Sequence, residues 1–205
     1  MKERPILFSA PMVRALLNGT KTQTRRIFKV PSGCSWYEAL GGEREGQLQD
    51  DTGPAWWHVS EQRCPYGKPG DRLWVRETWA HDAESLEHCR AAYEDAMGGS
   101  TYGPYYRATE SAPDTLHWRP SIHMPRWASR IDLEVTGVRV ERLQDISNAD
   151  CIAEGISLHP DHHARPRTSN YGPYHTYHDL WVQINGAGSW AANPWVWVVS
   201  FRKAS

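Results

Sequence analysis

The chain predicts an α+β fold: a mixed, mainly antiparallel β-barrel with short helices at its ends and long loop insertions. Three observations point there. Short β-branched stretches alternate or run continuously apolar, and helical signals are few and brief. The elements also follow the order helix, four strands, short helix, helix, strand, which lacks the strand–helix rhythm of a parallel sheet.

The first helix opens at Ser9 as N-cap, tolerates Pro11 in its first turn and closes at Gly19. Met12, Val13, Leu16 and Leu17 repeat at helical spacing between them and form one apolar face. The following KTQTRRIFKV reads as a strand ending at Pro31. The next strand is RLWVR, launched by a turn at Pro69, Gly70 and Asp71. Alternation there sets Leu73, Val75 and Glu77 on one side and Trp74, Arg76 and Thr78 on the other. YYRAT suggests a further strand. The long strand is IDLEVTGVRVERL, with a bulge or bend at Gly137. In ISNADCIAEGI, Ser147 and Asp150 form a capping box, Ile146 staples onto Cys151, and Gly155 stops the helix after two turns. A last helix runs over about 177–185 to Gly186. NPWVWVVSF then reads as a strand buried on both faces.

Three segments depart from this pattern and read as insertions into one domain spanning 1–205, at about 32–67, 81–116 and 157–177. The first is rich in Gly, Ser and Pro, with an aromatic knot, AWWHV, and room for a hairpin. The second carries a short helix near AESLEHCRAAYEDAM that Gly98 and Gly99 end. The third is a mobile loop with four of the ten histidines, among them His159, His162 and His163.

Net charge of −1 excludes a broadly basic nucleic-acid coat, so an anionic partner must meet a local patch. The N-terminal apolar run is too short for a secretory signal, and no stretch reaches the roughly 18 apolar residues of a membrane span, so a cytoplasmic protein with no membrane partner is expected. Cys34, Cys64, Cys89 and Cys151 form no CxxC pair and read as free thiols. A zinc site of Cys34, His58, Cys64 and Cys89 fits no common spacing, so neither metal nor cofactor is expected. His123 in SIHMPR fits a ligand role or a hydrogen-bonded structural one, and the structural reading is favoured. Eleven tryptophans fit either a β-rich core or a base-stacking surface, and their concentration in β-type patterns favours the core.

The densest chemistry lies in NGTKTQTRR, where Lys21, Arg25, Arg26 and three threonines crowd the corner after the first helix. With PGDRLWV and LEVTGVRVERL…AEGI in this order, the sequence resembles the ASCH family, in its phage and prophage form. That resemblance implies a PUA-like barrel. It also implies similarity to a class that hydrolyses N4-acetylcytidine to cytidine and acetate. The class motif G-x-K-T-x-T-x-R falls on Gly19 to Arg26, so the resemblance gives Lys21 and Thr24 as catalytic residues, with Glu154 as the glutamate on the helix after the long strand.

The residue types suit that role. A threonine hydroxyl needs a base, and a lysine becomes one when burial or neighbouring cations lower its pKa. Arg25 and Arg26 are such neighbours, and Glu154 can hold Lys21 or pass a proton to a leaving amine. Alternation along a strand would put Lys21 and Thr24 on opposite faces, so either Lys21 precedes the strand or a bulge intervenes. Arg25, Arg26, Arg76, Glu77 and Trp79 are candidate substrate-binding residues, Arg26 to steer an anionic or carbonyl-bearing substrate and the last three in the cleft wall, with Trp79 or Trp74 stacking on a base. Against this stands a plain strand ion pair at Arg76 and Glu77. The expected function is an amidohydrolase on an N-acylated nucleobase or nucleoside. A non-catalytic RNA reader and a metal-independent ribonuclease are the alternatives, with a modified nucleoside or RNA as partner.

Overall fold

The computed structural model describes residues 1–36, 46–53, 55–82, 86–95, 103–110, 116–156 and 172–204. Its centre is a five-stranded sheet in the order β1 (Glu3–Leu7), β6 (Arg72–Arg76), β9 (Asp132–Arg142), β10 (Trp195–Lys203), β2 (Gln23–Ile27). All its pairings are antiparallel except β1 with β6. Between β1 and β2, the two edges, no ladder forms among the described residues. The Arg26 guanidinium spans them instead, with Nη2 donating to the Leu7 carbonyl at 2.9 Å.

Strand β1 is absent from the sequence reading. Its ERPIL stretch is short and contains Pro5, which removes a ladder donor and is tolerated on an edge. Between β2 and β6, the expected hairpin is a three-stranded antiparallel sheet of β3 (Cys34–Trp36), β4 (Gln47–Asp50) and β5 (Trp56–His58). A two-stranded pair follows, β7 (Trp79–Ala80) with β8 (Tyr105–Tyr106), and helix α2 (Leu86–Asp95) lies between them in sequence. The stop at Gly98 and Gly99, the loop over 157–171 and its histidines lie outside the described residues.

Strand β10 is sandwiched, as its apolar run predicts. Trp197, Val199 and Phe201 join a core that includes Val13 and Leu16 of helix α1 (Ala10–Leu17). Val196 and Val198 face the other way, toward Cys151 of helix α3 (Asn148–Ala153) and Tyr177 and Trp181 of helix α4 (Pro173–Asn185). On β9 the bulge falls where Gly137 predicts it. Ser200 opposes Gly137 and Phe201 opposes Val135, leaving Thr136 as the extra residue. That residue has a consequence: Leu133 and Val135 would otherwise point away from Val138 and Val140, yet all four pack against one core. The same shift sends Arg139 and Glu141 to the α3–α4 face.

Helix α3 follows its sequence signals closely. Ser147 Oγ accepts from the Asp150 amide and the Asp150 carboxylate accepts from the Ser147 amide. Ile146 and Cys151 pack in one cluster. Helix α4 begins a turn before the expected Tyr177, because Pro173 serves in the first turn. Seven of the eleven tryptophans stand on strands, in keeping with a structural role for most of them.

Candidate active site

Helix α1 ends at Asn18, and Gly19 at φ 73° turns the chain. Lys21 is then held by its amide to the Ala15 carbonyl, before β2 begins at Gln23. The parity conflict is resolved in the first of the two expected ways: Lys21 sits in the turn, ahead of the strand. Across from it the end of α3 pairs with this turn. The Thr22 amide donates to Ala153 O at 2.8 Å, and Lys21 and Glu154 form a single antiparallel bridge. Gly155 makes the approach feasible. Its φ is 87°, and a Cβ there would lie 2.9 Å from Ala15 Cβ and 3.0 Å from Lys21 Cβ.

This backbone arrangement carries Lys21 Nζ to Glu154 Oε2 at 2.8 Å. Its other two protons go to the carbonyls of Gln23 at 2.7 Å and Glu154 at 2.8 Å. Lys21 is 4% exposed. Burial lowers its pKa, Glu154 opposes that in part, and Arg26 and Arg25 add to the lowering.

Strand alternation splits the next residues between two faces. Arg25, opposite Val198, points to α3 and is 2% exposed. It donates to Gln23 Oε1 at 2.7 Å, Glu154 Oε1 at 3.3 Å and Glu141 Oε1, with Asp150 Oδ2 3.5 Å away. Arg139 closes the network by pairing with Glu141 at 2.8 Å and Asp150 at 3.1 Å. Lys21, Arg25 and Arg139 are thus matched by Glu154, Glu141 and Asp150.

Thr24 and Arg26 point to the opposite face. Arg26 Nη1 donates to Thr24 Oγ1 at 2.9 Å and to the Arg25 carbonyl at 3.1 Å. Arg26 pairs with no carboxylate among the described residues, so it is the one cation of the motif left uncompensated. Both Lys21 Nζ and the Arg26 guanidinium lie over the Phe8 ring, at 5.4 and 5.3 Å.

These groups share one cleft of about 670 Å³, with Lys21, Thr24, Arg25, Arg26 and Glu154 in its lining. Tyr177 and Trp181 of α4 form part of the wall, and exposed Leu7, Ile27 and Ile184 rim it. Burial and the Glu154 carboxylate push the Tyr177 phenol upward, so it stays neutral. Comparison with known proteins finds no matching family model, curated protein or solved structure. The site therefore rests on its own geometry.

Three expected binding residues lie elsewhere. Trp79 is 0% exposed, packed with Tyr106, Met124 and Ala128, and has no face free for a base. Glu77 is also buried, but its partner is Arg130, in a two-pronged pair at 2.9 and 3.0 Å, in place of the neighbouring Arg76. The Arg76 guanidinium lies over Trp74 at 4.7 Å. None of the three lines the cleft. Local alternation in WVRETW could not reveal that the segment after β6 turns into a second small core.

The cysteines are free thiols, and burial raises Cys151 to about 11, which leaves it inert near this site. Among the described residues no three His, Cys, Asp or Glu side chains group as metal ligands would. His123 is exposed at the end of a 3-10 turn. No helix among the described residues is long and apolar enough to cross a membrane.

Sequence reasoning missed Tyr177, Trp181, Glu141 and Asp150. The alternation of Arg139 and Glu141 beyond the Gly137 bulge was the available signal for Glu141. The α4 aromatics gave none that separated them from an ordinary core face.

Proposed function

We propose that this chain is a hydrolase that removes an acyl group from an N-acylated nucleobase or nucleoside of the N4-acetylcytidine kind, on a PUA-like barrel of the ASCH type. One observation carries the reading. An ammonium, a hydroxyl and a carboxylate from segments 133 residues apart line one cleft, with the ammonium and the carboxylate in direct contact.

The chemistry follows from the hydrogen bonds. At rest all three Lys21 protons are engaged, so the residue becomes a base only after one moves along the 2.8 Å bond to Glu154 Oε2. Burial favours that neutral pair by removing the solvation of two charges. The freed amine lone pair turns to Thr24 and takes its proton as Oγ1 attacks the acyl carbon. Arg26, already bonded to Oγ1, meets the negative charge developing on the acyl oxygen. Collapse breaks the C–N bond, and the Glu154 carboxylic acid protonates the departing nitrogen. Water, deprotonated by Lys21 in a second cycle, cleaves the threonine ester; Thr24 recovers its proton and the acid product leaves.

A non-catalytic RNA reader needs exposed, unpaired cations in this patch. Burial and carboxylate pairing of Lys21 and Arg25 favour the hydrolase over that alternative. The test is turnover of N4-acetylcytidine and a panel of acylated nucleosides, followed by chromatography. The wild-type chain is expected to release free nucleoside, Thr24→Ser to retain part of the rate, and Thr24→Ala to lose it with its circular dichroism unchanged. A folded wild-type protein that leaves the whole panel intact overturns the proposal.

A further inference from the structure

A second hollow, of about 890 Å³, shares no lining residue with the cleft. It lies between the start of β1, the 60–71 segment and the core-facing side of β9 and β10. Its chemistry is lopsided. Lys2, Arg4, Arg63 and Lys68 line it, and none of them makes an ion pair among the described residues. The one carboxylate in the lining, Asp71, accepts from the backbone amides of Lys2 at 2.8 Å and Lys68 at 3.3 Å. Arg139 reaches the hollow too, but its guanidinium is committed to Glu141 and Asp150.

Two facts make this more than a solvated basic face. Arg4 Nε is buried and has no protein hydrogen-bond partner among the described residues, an arrangement that an arriving acceptor stabilises. Four cations with no ion pair among the described residues also gather around one concavity in a chain whose net charge is −1. Collecting like charges there opposes folding, while a concave low-dielectric wall focuses their field on an anion. Val138, Val140 and Trp197 supply an apolar floor beside the cations.

The geometry points to a nucleotide-binding site, with phosphate oxygens held by Lys2, Arg4, Arg63 and Lys68 and the flat base against the apolar floor. Clustered cations answer closely spaced phosphates, and the volume lies within the range of small-molecule sites. A free nucleotide and the terminal nucleotide of an RNA strand offer the same chemistry. This site stands independently of the hydrolase reading, because its test is binding.

The experiment is calorimetric titration of the full chain at low salt with magnesium-free ATP, inorganic triphosphate and a short single-stranded oligouridine. ATP is expected to bind more tightly than triphosphate, with affinity falling steeply as salt rises. Tighter binding of oligouridine than of ATP assigns the site to a strand end. The double variant Arg63→Gln/Lys68→Gln alters exposed loop positions and is expected to weaken binding about tenfold or more and lower the salt slope by about 2. Lys29→Gln, an exposed cation outside the hollow, is expected to leave affinity unchanged. The assignment is overturned by failure of all three probes to bind, by binding insensitive to salt, or by equal weakening in Lys29→Gln and the double variant.

Discussion

Lys21 and Arg25 are four residues apart and do different work. Arg25 holds the site together: it answers Glu154, Glu141 and Asp150 at once while 2% exposed. Arg25→Ala removes the buried cation common to all three and leaves Glu154 to Lys21 and Glu141 and Asp150 to the half-exposed Arg139, and chemical denaturation is expected to register a loss of about 3 kcal/mol. Lys21 carries the titration. Its pKa is lowered first by burial, and Arg26 and Arg25 contribute. In the proposed hydrolysis the Lys21–Glu154 pair works with one shared proton, as base and then as acid, so activity should fall as rising pH removes that proton through the lowered value. Arg26→Gln removes one of the lowering charges, so the Lys21 pKa rises. The descending limb of kcat/KM against pH is expected to move to higher pH, and a limb that stays in place would separate Lys21 from the rate.

The α1–β2 corner and the end of α3 are mutually dependent elements. Neither helix reaches the site on its own; the Lys21–Glu154 bridge and the Thr22–Ala153 bond bring them into register. Gly155 is the narrowest point of that contact. Gly155→Ala adds a methyl within 3.0 Å of Ala15 and Lys21 and forces an L side chain to positive φ. Thermal melts are expected to show a loss of about 1–3 kcal/mol, with turnover of the acylated nucleoside falling further than stability alone explains, because Glu154 moves with the backbone. Unchanged turnover in this variant would mean that the placement of Glu154 does not govern the chemistry. Ser147 and Asp150 support the same element from its other end, and Asp150 does so while facing Arg25.

At the scale of the molecule, β10 joins two cores. Val198 belongs to the helix-covered side and Val199 to the α1 side, and each is 0% exposed. Truncating either to alanine is expected to cost about 2 kcal/mol, and both variants should unfold in one transition because the strand is common to both layers. Two separate transitions would show that the layers melt independently.

How much of this was written in the chain depends on whether the signal was local. Helix α3 was legible to the residue because its caps, staple and stop lie within ten positions of one another. Buried β10 and the Gly137 bulge were legible for the same reason, since each follows from nearest-neighbour geometry; for Lys21 the same geometry left a turn and a bulge both open, and the fold chose the turn. Proximity of Lys21, Thr24 and Glu154 was an expectation from motif resemblance, and only the tertiary structure brings the distant glutamate against the turn. Folding alone also decided that Trp79 and Glu77 enter a second core, that Arg25 meets Glu141 and Asp150, and that Tyr177 and Trp181 wall the cleft. Contacts of this kind join segments whose local patterns are satisfied by many partners. The choice among those partners is made by packing the whole chain at once, which no single stretch of sequence encodes.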